Sequence, residues 1–322
     1  MNKNNKSALL ESLLRAYWLR PETALWYTEM IALAKKFEVD NIQGIQSLDF
    51  GCMDGLNSFI LLGGYIPEDF DAFAGMKESG SIQSKIFLKD DYYDNVNLKD
   101  LAFNGRPPAK SFTYGIDWKK SHIERSRLLG AHQHLILWDE ANSLPIENSK
   151  IDLIWAPNFY WMNNLSKLLD NFYRITIIGG MLVIVVPDKK ALNYSIMNHR
   201  KGFEATWLSL FDNGRYQNVV KSARSKDEWT TLFEEHGYSV IKCEGYISSK
   251  LMSVYEIGFR PFFSPLLHMR RLLLEDSPDK FLDIKNCWID ALSDILNPLE
   301  EHDYFSPDPD DALWYMYKLV KK

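Results

Sequence analysis

The stretch that most constrains the fold runs from Ile45 to Leu62, Ile-Gln-Ser-Leu-Asp-Phe-Gly-Cys-Met-Asp-Gly-Leu-Asn-Ser-Phe-Ile-Leu-Leu. Apolar Ile45, Leu48 and Phe50 read as a short buried strand. Gly51 and Gly55 break it with a turn. The apolar run from Phe59 to Leu62 reads as a helix, which Gly63-Gly64 stops. Strand, glycine turn and helix in that order bring a backbone close to a nucleotide-like ligand. Glycine belongs there because a Cβ would block the approach or forbid the φ that the turn needs.

Asp49-Phe50-Gly51-Cys52-Met53-Asp54-Gly55 resembles the first motif of class I S-adenosylmethionine-dependent methyltransferases, the small-molecule kind grouped as methyltransferase type 11. The family places an acid at the end of the first strand, followed by Gly-x-Gly-x-Gly. Met53 stands here in place of the middle glycine, which is a departure.

The later motifs follow in order. Phe112 to Asp117 reads as a second strand ending on an acid. Asp117 sits where the family holds the ribose diol, and the ring of Trp118 is placed to lie against adenine. A helix over 121–129 and a strand over 134–138 precede Asp139-Glu140-Ala141 and Leu144-Pro145. These resemble the family's third motif, in which an acid accepts the adenine amine and a small residue lets the ring lie flat. Either Asp139 or Glu140 can be that acid. Ile151 to Ala156 reads as the fourth strand. A helix from Leu165 to Ile178 leads through Gly179-Gly180 into Met181 to Val186, apolar throughout as a central parallel strand should be. The resemblance covers Ile45 to Asp188.

It implies an α/β fold of the Rossmann-like, doubly wound kind. The expected sheet has seven mostly parallel strands, with helices on both faces and helical elaborations. Residues 1–40 form an N-terminal helical cap, with Ser7 available to cap its first helix and Pro21 opening the second. The core spans 41–247 and 309–322. Two segments exceed the family plan, an insertion over 64–111 and a mostly helical one over 248–308. The first is rich in aromatics, which argues for an ordered lid or surface elaboration.

The cofactor implied is S-adenosylmethionine. Asp49, Gly51, Cys52, Gly55, Asp117, Trp118, Asp139, Glu140, Ala141 and Ala156 are its expected contacts. For the substrate, Asn158, Tyr160 and Trp161 follow the fourth strand, with Tyr92, Tyr93 and Arg215 as more distant candidates. No catalytic residue is assigned, because an in-line methyl transfer needs positioning before it needs any fixed group. His122, His132 and His134 read as surface residues. The expected acceptor is a small polar metabolite, such as a sugar or surface-polysaccharide precursor. The competing readings are a methyltransferase-like scaffold without catalysis, which Met53 favours, and a dinucleotide-dependent oxidoreductase, which would prefer Gly-x-Gly-x-x-Gly.

The net charge of −6 and the lack of a basic stripe argue against nucleic acid as a partner. The three cysteines, Cys52, Cys243 and Cys287, form no Cys-x-x-Cys pair, so neither a disulfide framework nor a metal site is expected. Reduced thiols, no signal-peptide core and no long apolar run lead to the expectation of a cytoplasmic protein without a transmembrane segment.

Overall fold

The computed structural model describes residues 3–74, 76, 103–196, 217, 219–308 and 310–322. The cap is α1 (Lys3–Ala16) and α2 (Pro21–Lys36). Then come β1 (Ser47–Phe50), α3 (Leu56–Leu61), β2 (Phe112–Asp117), α4 (Lys120–Leu129) and β3 (His132–Leu137). They are followed by β4 (Ile151–Ala156), α5 (Leu165–Ile175), β5 (Thr176–Pro187), α6 (Lys226–Glu235) and β6 (Tyr238–Ile247). The chain then runs through α7 (Ser249–Ser253), α8 (Phe263–Asp276) and α9 (Phe281–Glu301) before closing on β7 (Trp314–Lys321).

The seven strands form one sheet in the order β3-β2-β1-β4-β5-β7-β6. Six run parallel, and β7 lies antiparallel between β5 and β6. This is the Rossmann-like methyltransferase plan, whose switch between β1 and β4 leaves a crevice at the carboxyl ends of the strands.

The central strands bury both faces, so their side chains divide between two cores. Leu153, Trp155, Val183 and Val185 face a core shared with α1, α2 and α3. Ile154, Ala156, Leu182, Ile184 and Val186 face the other, shared with α5 and α6. Helix α5 earns its place there with Leu165, Leu168, Leu169, Phe172 and Ile175, all buried along one stripe. The Asn164 side chain caps it by accepting from the Lys167 N–H at 2.9 Å. It ends at Ile175 and does not continue to Ile178. Thr176 turns into the strand and donates its hydroxyl to the Phe172 carbonyl at 2.6 Å, and the β-branched run that follows favours extended backbone. Likewise α1 begins at Lys3, which places Ser7 inside the helix instead of at its cap.

The two elaborations meet the cap in the core. The Asp71 carboxylate accepts from the Trp18 indole at 3.0 Å and from Arg270 Nε, on α8, at 2.6 Å. Lys285, on α9, donates to the carbonyls of Glu68 (2.7 Å) and Phe70. Arg125 on α4 reaches the Ala72 carbonyl at 2.8 Å. The start of the first insertion, residues 66–73, is therefore tied into the body. Elsewhere in the cap, Lys6 on α1 lies between Glu29 on α2 and Glu300 on α9, and all three are largely buried. Among the described residues no helix is long and apolar enough to cross a membrane.

Candidate active site

The turn after β1 is built from positive-φ residues. Gly51 has φ +71° and Gly55 +80°, and between them Met53 takes φ +52°. Met53 thus occupies the left-handed position that a glycine would hold without cost, at a strain of about 1–2 kcal/mol. The two glycines serve different neighbours. A Cβ on Gly51 would stand 2.8 Å from Asn158 Cβ and 3.5 Å from the Trp118 ring. A Cβ on Gly55 would strike Ser126 of α4, so this glycine sets the spacing of α3 against α4. The N–H groups of Gly51 and Cys52 both donate to the Ile116 carbonyl, at 2.8 and 3.0 Å, which fastens the loop to β2.

Asp49 and Asp117, at the ends of adjacent strands, are both fully buried. Asp117 Oδ2 accepts from the Met53 N–H at 3.0 Å, while Oδ1 accepts from Lys119 N–H at 2.8 Å and lies 3.0 Å from His122 Nδ1. Asp49 Oδ2 takes the Ser58 hydroxyl and His132 Nε2, the latter at 2.8 Å, and Ser126 Oγ sits 3.1 Å from His132 Nδ1. Asp49 Oδ1 is buried without a partner among the described residues. The expectation of surface histidines is therefore overturned for two of three. His122 and His132 are buried partners of the two motif acids, and only His134 is exposed. Because a carboxylate only accepts, the ring nitrogens facing it carry the protons. His122 lies five residues after Asp117, at the start of α4, which could have signalled the pairing. Cys52 is buried as well, and burial, reinforced by Asp49, Asp117 and Asp54, pushes its thiol well above the ordinary pKa.

On the other side of the crevice, Asn158 follows β4 and donates through Nδ2 to the Gly51 carbonyl at 2.7 Å. Ala156, the last residue of β4, is buried. Trp118 is half-buried, its ring 6.4 Å from that of Phe50. Glu140 is engaged elsewhere, accepting from Asn163 Nδ2 and the Asn164 N–H, both at 2.8 Å. Asp139 is exposed and closes its own turn onto the Ala141 N–H at 3.0 Å. Ala141 is exposed too, its carbonyl bonded to Lys167 Nζ at 2.9 Å. Asp49, Gly51, Cys52, Gly55, Asp117, Trp118, Ala156 and Asn158 thus gather around the ends of β1, β2 and β4, whereas the Asp139–Ala141 turn stands at the rim.

Tyr160 is buried 4.7 Å from Trp314, edge to face, and 5.7 Å from Trp161. Around them is an aromatic cluster that the sequence did not disclose. Trp26 of α2 touches Tyr246, Tyr255 and Trp314 at centroid distances of 6.3, 5.0 and 5.1 Å. Because β7 runs antiparallel, Trp314 at its start pairs with Pro187 and Ile247, level with the carboxyl ends of the parallel strands. Tyr27 links this cluster to the glycine loop, its hydroxyl 3.9 Å from the Met53 sulfur. Tyr92, Tyr93 and Arg215 lie outside the described residues.

A family model described as a methyltransferase domain matches residues 97–184, a span holding β2, β3, β4 and much of β5 but not the glycine loop. That match and the sheet order above are those of a class I S-adenosylmethionine-dependent methyltransferase domain. Its cofactor is accordingly S-adenosylmethionine. No curated protein sequence matches significantly. Among solved structures, an S-adenosylmethionine-dependent methyltransferase of Thermotoga maritima is similar at 11% identity and a TM-score of 0.46, over 92% of this chain and 89% of that one. Another, from Thiobacillus denitrificans in complex with S-adenosylhomocysteine, is similar at 12% identity and a TM-score of 0.42, over 99% and 91%. Likeness at this level says nothing about substrate.

Proposed function

We propose that the enzyme methylates a small polar metabolite, such as a sugar or surface-polysaccharide precursor, at the crevice where β1, β2 and β4 end. The observation that carries this reading is the convergence of Gly51, Asp117 and Asn158 there.

The residues fit the cofactor. Gly51 lacks the Cβ that would fill the space between Asn158 and Trp118. Asp117 already accepts from three donors. A carboxylate accepts about four, so one site remains for a ribose hydroxyl. Trp118 offers a half-buried face to adenine. When bound, the cofactor supplies an electrophilic methyl group. Asn158 holds the loop through the Gly51 carbonyl, and the aromatic cluster between α2 and the ends of β4, β6 and β7 excludes water from the acceptor side.

Binding of S-adenosylhomocysteine tests the reading by calorimetry and thermal shift. At about 100 times its Kd it should add about 2.7 kcal/mol of stability. NAD and NADP should compete poorly. Asp117→Ala should weaken binding on the order of 10-fold to 100-fold, since hydrogen bonds to a charged group contribute about 1.5–3 kcal/mol. A flat titration with no thermal shift would overturn the proposal. Labelled donor incubated with a metabolite pool then identifies the acceptor.

A further inference from the structure

Helix α9 carries two apolar faces, and only one of them is covered. Lys285, Ile289, Leu292 and Leu296 recur every three or four residues and are buried in the body. Ile284, Cys287, Ala291, Ile295 and Pro298 recur at the same spacing on another face, and all five are exposed, Ile295 at 63%. Trp288 lies between the two rows and is half-buried. The exposed row runs from Ile284 to Pro298, roughly 21 Å at about 1.5 Å per residue. On the side away from the body it is bordered by Asp283, Asp290, Asp294 and Glu301, and every exposed charge on α9 is acidic. The covered side pins the helix. Lys285 Nζ donates to the carbonyls of Glu68 and Phe70, Trp288 Nε1 donates to the Trp18 carbonyl at 2.9 Å, and Glu300 meets Lys6 Nζ at 2.7 Å. The exposed row is therefore presented on a helix already fixed in place.

We propose that this row docks a basic amphipathic helix of a partner protein, apolar face to apolar face, with Lys or Arg side chains of the partner along the acidic border. Large contiguous apolar patches mark interaction sites. An apolar row spaced three and four residues apart is what a second helix packs against. The charges choose the occupant. A second copy packing α9 antiparallel about a two-fold axis would bring the two acidic borders to the same side of the seam, acid beside acid. An anionic lipid surface would be repelled by the same four carboxylates. A basic helix turns them into an attraction that steers the encounter and fixes its orientation, while the apolar row supplies the burial. None of these residues belongs to the crevice at the ends of β1, β2 and β4, so the docking face is independent of the methyl acceptor.

The test uses the full chain and three synthetic helical peptides: one with leucine along one face and lysine on its flank, one with glutamate in place of the lysine, and a scramble of the first. In calorimetry the lysine peptide should bind at least about ten-fold more tightly than either control. It should also shield Cys287 from N-ethylmaleimide, because that thiol sits in the row and is exposed, whereas Cys52 is buried and Cys243 half-buried. Ile295→Lys, at an exposed position, should weaken binding at least about ten-fold while the melting temperature stays within about 2 °C. Equal binding of the lysine peptide and either control, binding that leaves Cys287 reactive, binding that survives Ile295→Lys, or no binding at all overturns the proposal. So does a dimer in sedimentation equilibrium that Ile295→Lys dissolves, which would give the face to a second copy. Flotation with phosphatidylcholine–phosphatidylglycerol vesicles, lost in the same variant, would give it to a lipid surface and overturn the proposal equally.

Discussion

Substituting Gly51 by alanine sets two physical effects against each other that can be separated. At φ +71° an alanine pays left-handed strain of about 1–2 kcal/mol. The added Cβ would also stand 2.8 Å from Asn158 Cβ, well inside carbon–carbon contact. Asn158 must then retreat, and its 2.7 Å bond to the Gly51 carbonyl weakens by about 0.5–1.5 kcal/mol. The expected loss is about 1.5–3.5 kcal/mol, read as a lower urea midpoint at unchanged slope. Asn158→Ala keeps the offending Cβ, so the informative partner is Asn158→Gly. In that background Gly51→Ala should cost only the strain, about 1–2 kcal/mol, and the difference is the coupling between the sites. Equal costs in the two backgrounds would refute the contact argument. A cost below about 0.5 kcal/mol in either would refute the strain argument as well.

His132→Phe keeps the stacking on Phe112, whose ring lies 6.0 Å away, but strips Asp49 of a buried donor. A loss of about 1.5–3 kcal/mol in urea unfolding is expected, and an unchanged midpoint would show the pair to be neutral. The cap should respond to pH through Glu29. Burial, then Glu300, pushes its carboxyl from the ordinary 4.5 up to about 8, with Lys6 pulling the other way. For Lys6, burial lowers the pKa and the two carboxylates more than reverse that, so it stays charged. Between 4.5 and about 8 the folded state holds a proton on Glu29 that the unfolded state has released. Stability from this group therefore falls as pH rises through that window. Urea midpoints across it should decline, and Glu29→Gln should flatten the slope; an identical slope in the variant counts against the argument.

The sheet was legible in the sequence because its strands are short apolar runs punctuated by glycine, acid or proline. β2 and β4 fall where the pattern places them. The end of α5 was not, since Ile175-Thr176-Ile177-Ile178 suits helix burial and strand alike until Thr176 bonds back to Phe172. The glycine loop and Asp117 could be read from spacing along the chain. The histidines could not, because His132 meets Asp49 across 83 residues, from β3 to β1 on either side of β2, a placement that only the sheet order creates. The aromatic cluster was hidden for a similar reason. Trp26 looks like one more residue of an apolar stripe, and Trp314 gains its place from the reversed direction of β7.

Asp71 has a consequence for how this protein can be altered. One carboxylate joins the tryptophan of the cap to an arginine of the helical segment between the last two strands, and it does so from within the first insertion. The three additions to the common plan are thus not interchangeable modules. Grafting either insertion onto a simpler relative would strand a buried charge, and so would excising it here. New acceptor specificity in such a scaffold would have to be sought by changing side chains in place, or by transplanting cap, insertion and helices together as one piece.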